Sequence, residues 1–70
     1  MKKVEAVKLI AHFYRAQTAL AAAAEELKTL ENGHEANSLR KTIASAIGTI
    51  AADAMAPIID LFPELDPYDH

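Results

Sequence analysis

From Lys2 onward, apolar residues recur at alternating intervals of three and four. Ala6, Leu9, Phe13, Ala16, Leu20, Ala23, Leu27 and Leu30 form one row with no polar interruption. That spacing is a heptad seam and predicts a helix over residues 2–31. Ile10, Gln17 and Ala24 flank the row on one side. Val4, Val7, Ala11, Tyr14, Thr18 and Ala21 make a second, weaker seam beside it. A helix with two adjoining apolar seams has more than one neighbour to meet, as in a four-helix bundle.

Asn32-Gly33 is a stop signal, because glycine tolerates the left-handed conformation that ends many helices. Periodicity resumes near residue 35 after a loop short enough to force antiparallel neighbours. Leu39, Ile43, Ile47, Ile50 and Ala54 mark the apolar stripe of this second helix. Ala44, Gly48, Ala52 and Ala56 add a row of small residues. Such a row permits close helix approach, and tight packing would explain a glycine at position 48. Pro57 lacks an N–H and is expected to end or kink the helix at Ala56, then to start a short helix over residues 57–62. Pro63 and Pro67 bracket an acidic tail, residues 63–70, read as irregular. The expected fold is therefore all-α: an antiparallel helical hairpin in a single domain over residues 1–62, completed as a homodimeric four-helix bundle.

Composition supports the need for a second copy. Half of the chain is hydrophobic, but 15 of its 70 residues are alanine, which favours helix while removing little area from water. Leu9, Phe13, Leu20, Leu27, Leu30, Ile43, Ile47 and Ile50 are the expected self-association seam. Cysteine is absent, which excludes a disulfide-stapled fold. Glu5, Lys8, His12 and Arg15 interrupt the start of the chain, unlike a secretory signal, and the uncharged run Thr42 to Ala52 is short for a membrane span. The reading is cytoplasmic, without a membrane. Lys2, Lys3 and Lys8 lie at the front and Asp60, Glu64, Asp66 and Asp69 at the back, so an antiparallel hairpin pairs opposite charges.

Candidate chemistry is sparse. His12, His34 and His70 have no second ligand at metal-binding spacing. Ser38, Thr42, Ser45 and Thr49 lack a base, a phosphate loop or a nucleophile elbow. Glu25, Glu26 and Glu31 read as solvated charge. No catalytic, cofactor or metal site is expected, and the chain reads as a non-enzymatic regulator, adaptor or inhibitor that binds a partner protein. Phe62, Leu65 and Tyr68 in the tail are the candidate anchors, unless the tail folds back near Val4 and Val7. Gln17, an amide flanking an apolar seam, is suited to setting register between paired helices. A purely structural self-assembling subunit is a further class.

The segment Ala11-His12-Phe13-Tyr14-Arg15-Ala16-Gln17-Thr18 resembles the first helix of the Rop (RNA-one-modulator) family, matching it at Ala11, Phe13, Arg15, Gln17 and Thr18. The resemblance implies a dimer of antiparallel hairpins that binds paired RNA stem-loops, with Phe13 and Gln17 on the RNA face and Lys2 assisting. Leu9 stands where the family places an asparagine, and Ala24 where it places a lysine. The heptad and the resemblance oppose each other at Phe13: the first turns it inward, the second outward.

Overall fold

Lys2 begins the first helix with its backbone N–H donating to the Glu5 carboxylate at 2.7 Å, which satisfies one of the donors a helix start leaves free. A computed structural model of the protein describes residues 1–29 and 33–68. Helix α1 spans Lys3–Leu27 and α2 His34–Thr49. A π-helical segment, Ile50–Met55, continues α2 into α3, Ala56–Leu61, and a 3-10 turn follows at Pro63–Leu65. No strand occurs among the described residues. The two long helices run antiparallel, and the molecule measures 45 × 20 × 17 Å.

Helix α1 stops earlier than its apolar row predicts. The Lys28 and Thr29 N–H groups turn back to the carbonyls of Glu25 and Glu26, and the Thr29 hydroxyl also donates to Glu26 O at 2.8 Å. This three-residue closure ends the regular helix at Leu27; Leu30 and Glu31 lie outside the described residues. Gly33 is extended (φ −108°, ψ 175°) and caps the start of α2, with its carbonyl accepting from Asn37 N–H. Its expected left-handed role at the end of α1 is not the one it plays. Arg40 closes this end of the hairpin. Its guanidinium donates to Asn37 Oδ1 and, at 3.4 Å, to Leu27 O, one of the carbonyls left free where α1 ends.

Burial corrects the seam. Ala6, Ile10, Gln17 and Leu27 are buried and Phe13, Leu20 and Ala24 half-buried, whereas Leu9, Ala16 and Ala23 are exposed. In heptad terms Ile10, Gln17 and Ala24 occupy a, and Ala6, Phe13, Leu20 and Leu27 occupy d. On α2, Arg40, Ile47 and Ala54 take a, and Ala36, Ile43 and Ile50 take d; Leu39 stays outside. The predicted row had joined the correct d residues to the g residues on the wrong side. Neither row carries a charge between Leu9 and Ala24, so periodicity alone could not separate them.

Pro57 does not end the helix. In α-helical spacing its ring would meet the carbonyl of Asp53. Here the preceding turn widens instead, and Ala56 N–H bonds to Ala51 O, five residues back. One additional residue in the turn advances the seam by one position. Continued at heptad spacing, Pro57 and Leu61 would face α1. After the widened turn Met55 (1% exposed), Ile58 and Phe62 face inward, and Leu61 is 63% exposed. Ala6, Ile10, Met55 and Ile58 form the core, with Phe13, Ile50, Ile59, Phe62 and Leu65 packed against it.

The small-residue row does not serve the hairpin. Ala44, Gly48 and Ala52 are exposed, and a Cβ built on Gly48 meets nothing within 4 Å. Gly48→Ala is therefore expected to stabilise the protein by about 1 kcal/mol through helix propensity. Urea unfolding followed by circular dichroism measures this; a loss of stability would show that another chain packs there.

Candidate interaction site

The side chain that ties the fold together is Gln17, 4% exposed at an a position. A primary amide in an apolar seam must have both ends satisfied, because an unpaired buried donor or acceptor is strongly unfavourable. Its Nε2 donates to Ile47 O at 3.1 Å, across the seam and one turn before the helix widens. Its Oε1 accepts from the Tyr68 hydroxyl. One amide thus links α1, α2 and the C-terminal segment.

The tail is folded back rather than irregular. Phe62 leaves α3 with non-helical backbone (φ −136°, ψ 76°), and Pro63–Leu65 form the 3-10 turn. Tyr68 N–H then donates to Asp66 Oδ1 at 2.9 Å, a local turn typical of aspartate. Phe62 and Leu65 lie on the core, Lys3 Nζ meets Glu64 Oε1 at 3.0 Å, and the Tyr14 and Tyr68 rings pack with centroids 6.0 Å apart at 60°. The strap lies along α1 on the side of Lys3, Ile10 and Tyr14. It does not cover Val4 and Val7, which remain exposed. The pairing of the charged ends is seen in Lys3 and Glu64; Asp69 and His70 lie outside the described residues.

The opposite side of the hairpin is open. In an antiparallel pair the g positions of both helices share one side and the e positions the other. Tyr14 is an e residue, so the strap covers part of the e side, while Val7, one heptad earlier, stays exposed. The g side carries Leu9 (37% exposed), Ala16 and Ala23 from α1 with Leu39 (51% exposed) and Ala46 from α2. Beside Ala46 and Ile50 runs a shallow open groove of about 620 Å³ that also includes Lys41, Thr42, Ser45 and Thr49.

Of the expected self-association seam, Leu27 is buried and Phe13, Leu20, Ile43, Ile47 and Ile50 are half-buried within one chain. Leu9 faces outward, and Leu30 lies outside the described residues. Of the tail anchors, Phe62 and Leu65 pack on the chain's own core, and Tyr68 reaches Gln17. Of the RNA-face residues, Phe13 packs on the core, Gln17 is buried and Lys2 is exposed. Phe13 thus points as the heptad predicts. Arg40 was not foreseen; its position beside Asn37 at the start of α2 is the only signal the sequence offers. Among the described residues no group of three or more His, Cys, Asp or Glu side chains converges as a metal site would require.

The described residues thus define an all-α helical hairpin with a folded-back C-terminal strap. No family model, curated protein or solved structure matches the chain. The likeness to Rop accordingly stays one of residues 11–18.

Two outcomes follow for the site. Gln17→Glu replaces the N–H that serves Ile47 O with a carboxylate oxygen. Burial and this repulsion raise the folded-state pKa of the new carboxyl above its unfolded value. The variant should match the parent most closely below about pH 4.3 and lose stability, about 1–3 kcal/mol in all, as pH rises through the raised pKa. Unfolding curves at several pH values measure this; a pH-independent difference between variant and parent contradicts it.

Glu64 shifts the other way. A hydrogen bond from its own backbone, then the Lys3 ammonium, hold its carboxyl below the usual value of 4.5, with burial opposing weakly. The ion pair's small contribution to strap docking is fully present above pH 4.5 and is lost as pH falls through the lowered value. Proton NMR contacts between Tyr14 and Tyr68 should weaken slightly in that window without vanishing; contacts unchanged at pH 2 would exclude a role for the ion pair.

Proposed function

We propose that the chain is a non-enzymatic contact protein, a regulator, adaptor or inhibitor acting on a partner protein. It works as a homodimer in which two hairpins close on their open sides into a four-helix bundle. The observation that carries this is the g-side row: Leu9, Ala16, Ala23 and Leu39 are exposed and Ala46 half-buried, an uncharged row that runs as far as the exposed Asp53, the next g residue. An a, d and g pattern is that of a helix with two neighbours, and one hairpin supplies only one.

Surface area supports the same reading. The single chain exposes 5122 Å². A monomer of 7.6 kDa typically exposes about 4300 Å². The excess is close to the roughly 800 Å² that each partner contributes to a standard interface. A bilayer is the competing cover, because the continuous helix His34–Leu61 is long and apolar enough to cross a membrane by length and composition. A second copy is favoured because the continuous helix keeps Asp53 in its π-helical segment and α2 lies along α1, whose Lys8, Arg15, Glu25 and Glu26 are exposed. The RNA reading is disfavoured because Phe13 and Gln17 are engaged within the chain.

Sedimentation equilibrium should give twice the mass of 7.6 kDa. Leu9→Glu with Ala16→Glu, both exposed in the hairpin, should give a helical monomer, since two buried charges per chain oppose a closed apolar interface. A parent chain that stays monomeric at millimolar concentration overturns the dimer, as does open-ended growth. Co-flotation with lipid vesicles assigns the face to a membrane, and salt-sensitive retention of RNA assigns it to nucleic acid.

A further inference from the structure

The strap resembles a bound ligand more than a structural element. None of its residues from Pro63 to Tyr68 is fully buried, and the Lys3–Glu64 pair joins side chains that are more than half exposed, a weak tie. The seat beneath it is nonetheless specific. Lys3 offers a cation, Ala6 and Ile10 a small apolar floor, Tyr14 an aromatic wall and Gln17 a fixed acceptor. Gln17 is held in place whether or not the strap is seated, because its Nε2 is anchored on Ile47 O.

We propose that this cleft, on the side of the hairpin away from the open g face, is a docking site for a short acidic peptide of a partner protein. The peptide carries a leucine and a tyrosine, and the chain's own residues 63–68 are the resident competitor. The seated strap defines the ligand: a glutamate for Lys3, a leucine on the cluster of Ala6, Ile10, Met55 and Ile58 and, three residues beyond that leucine, a tyrosine whose hydroxyl donates to Gln17 Oε1. The hydroxyl is the selective element. A site built to accept a hydrogen bond discriminates against the phenylalanine analogue, which leaves the acceptor unpaired under an aromatic ring. The strap joins α3 through Phe62 alone, so it can leave without unwinding either long helix. This inference rests on the reading of the chain as a contact protein but not on its dimer, which uses the other side.

The test uses the full chain with Glu64→Lys and Tyr68→Phe, which loosen the strap and leave every residue of the seat in place. Tyr14 is then the single tyrosine, and fluorotyrosine incorporation gives one fluorine NMR signal at the seat. The probe is the synthetic peptide Leu-Phe-Pro-Glu-Leu-Asp-Pro-Tyr. It should shift the Tyr14 signal saturably, with affinity about tenfold higher for the loosened chain than for the intact one, where the tethered strap competes. A peptide ending in phenylalanine should bind several-fold more weakly. Lys3→Glu in the loosened chain should bind the parent peptide more weakly and regain affinity for one with lysine in place of its glutamate.

Absence of a saturable shift overturns the proposal, as do equal affinities for loosened and intact chains or a charge-reversed peptide that rescues nothing. Sedimentation of the same samples separates the remaining case. If the peptide converts a dimer into monomers, the natural occupant is the strap of a second copy, and the outside partner is excluded. Failure of the g-face dimer shows instead in the Leu9 and Ala16 variants, with peptide binding unchanged.

Discussion

A single buried amide constrains the arrangement of the whole molecule. Gln17 lies in an otherwise apolar seam, its Nε2 donating to Ile47 O and its Oε1 accepting from the Tyr68 hydroxyl, so that one side chain joins α1, α2 and the C-terminal strap. Sliding α2 by part of a turn along α1 would remove Ile47 O from Nε2 and leave a donor without a partner in the dry interior. The amide therefore selects one register among several that Ala, Leu and Ile packing would tolerate nearly equally. This is the role that a buried polar residue has in paired helices, here exercised within one chain.

The widened turn between Ile50 and Met55 is the second constraint, and it acts on the same core. Up to Ile50, α2 keeps strict heptad phase against α1. Continuing that phase would aim Pro57 at the seam, where its ring has no room and its missing N–H no substitute. The additional residue in the turn moves proline to the surface and brings Met55 and Ile58 onto Ala6 and Ile10. Phe62 follows the same shift, and the strap starts from it. The position of Tyr68 over Gln17 thus depends on a backbone adjustment made in the preceding helical turns.

The hairpin consequently has two unlike sides. On the e side the strap supplies charge, a hydroxyl and an aromatic ring, features that give specificity to a peptide contact. On the g side the residues are apolar and small, features that suit a permanent helix-to-helix contact. The proposed dimer and the proposed peptide seat draw on this difference, and neither requires residues of the other.

Much of the architecture was legible in the residues themselves. Heptad spacing predicted two antiparallel helices, because burial of an apolar stripe is a local, periodic signal. The opposite charges at the two ends anticipated Lys3 meeting Glu64, and Gln17 stood out as an amide beside an apolar row. The sequence could not choose between the a and g rows flanking Phe13 and Leu20, since both are uncharged. It did not reveal that Pro57 would be absorbed by a π turn, that α1 would close on Thr29, or that Arg40 would reach the Leu27 carbonyl. Those outcomes depend on groups far apart in the chain competing for the same space and the same hydrogen bonds. Only the packed structure resolves that competition.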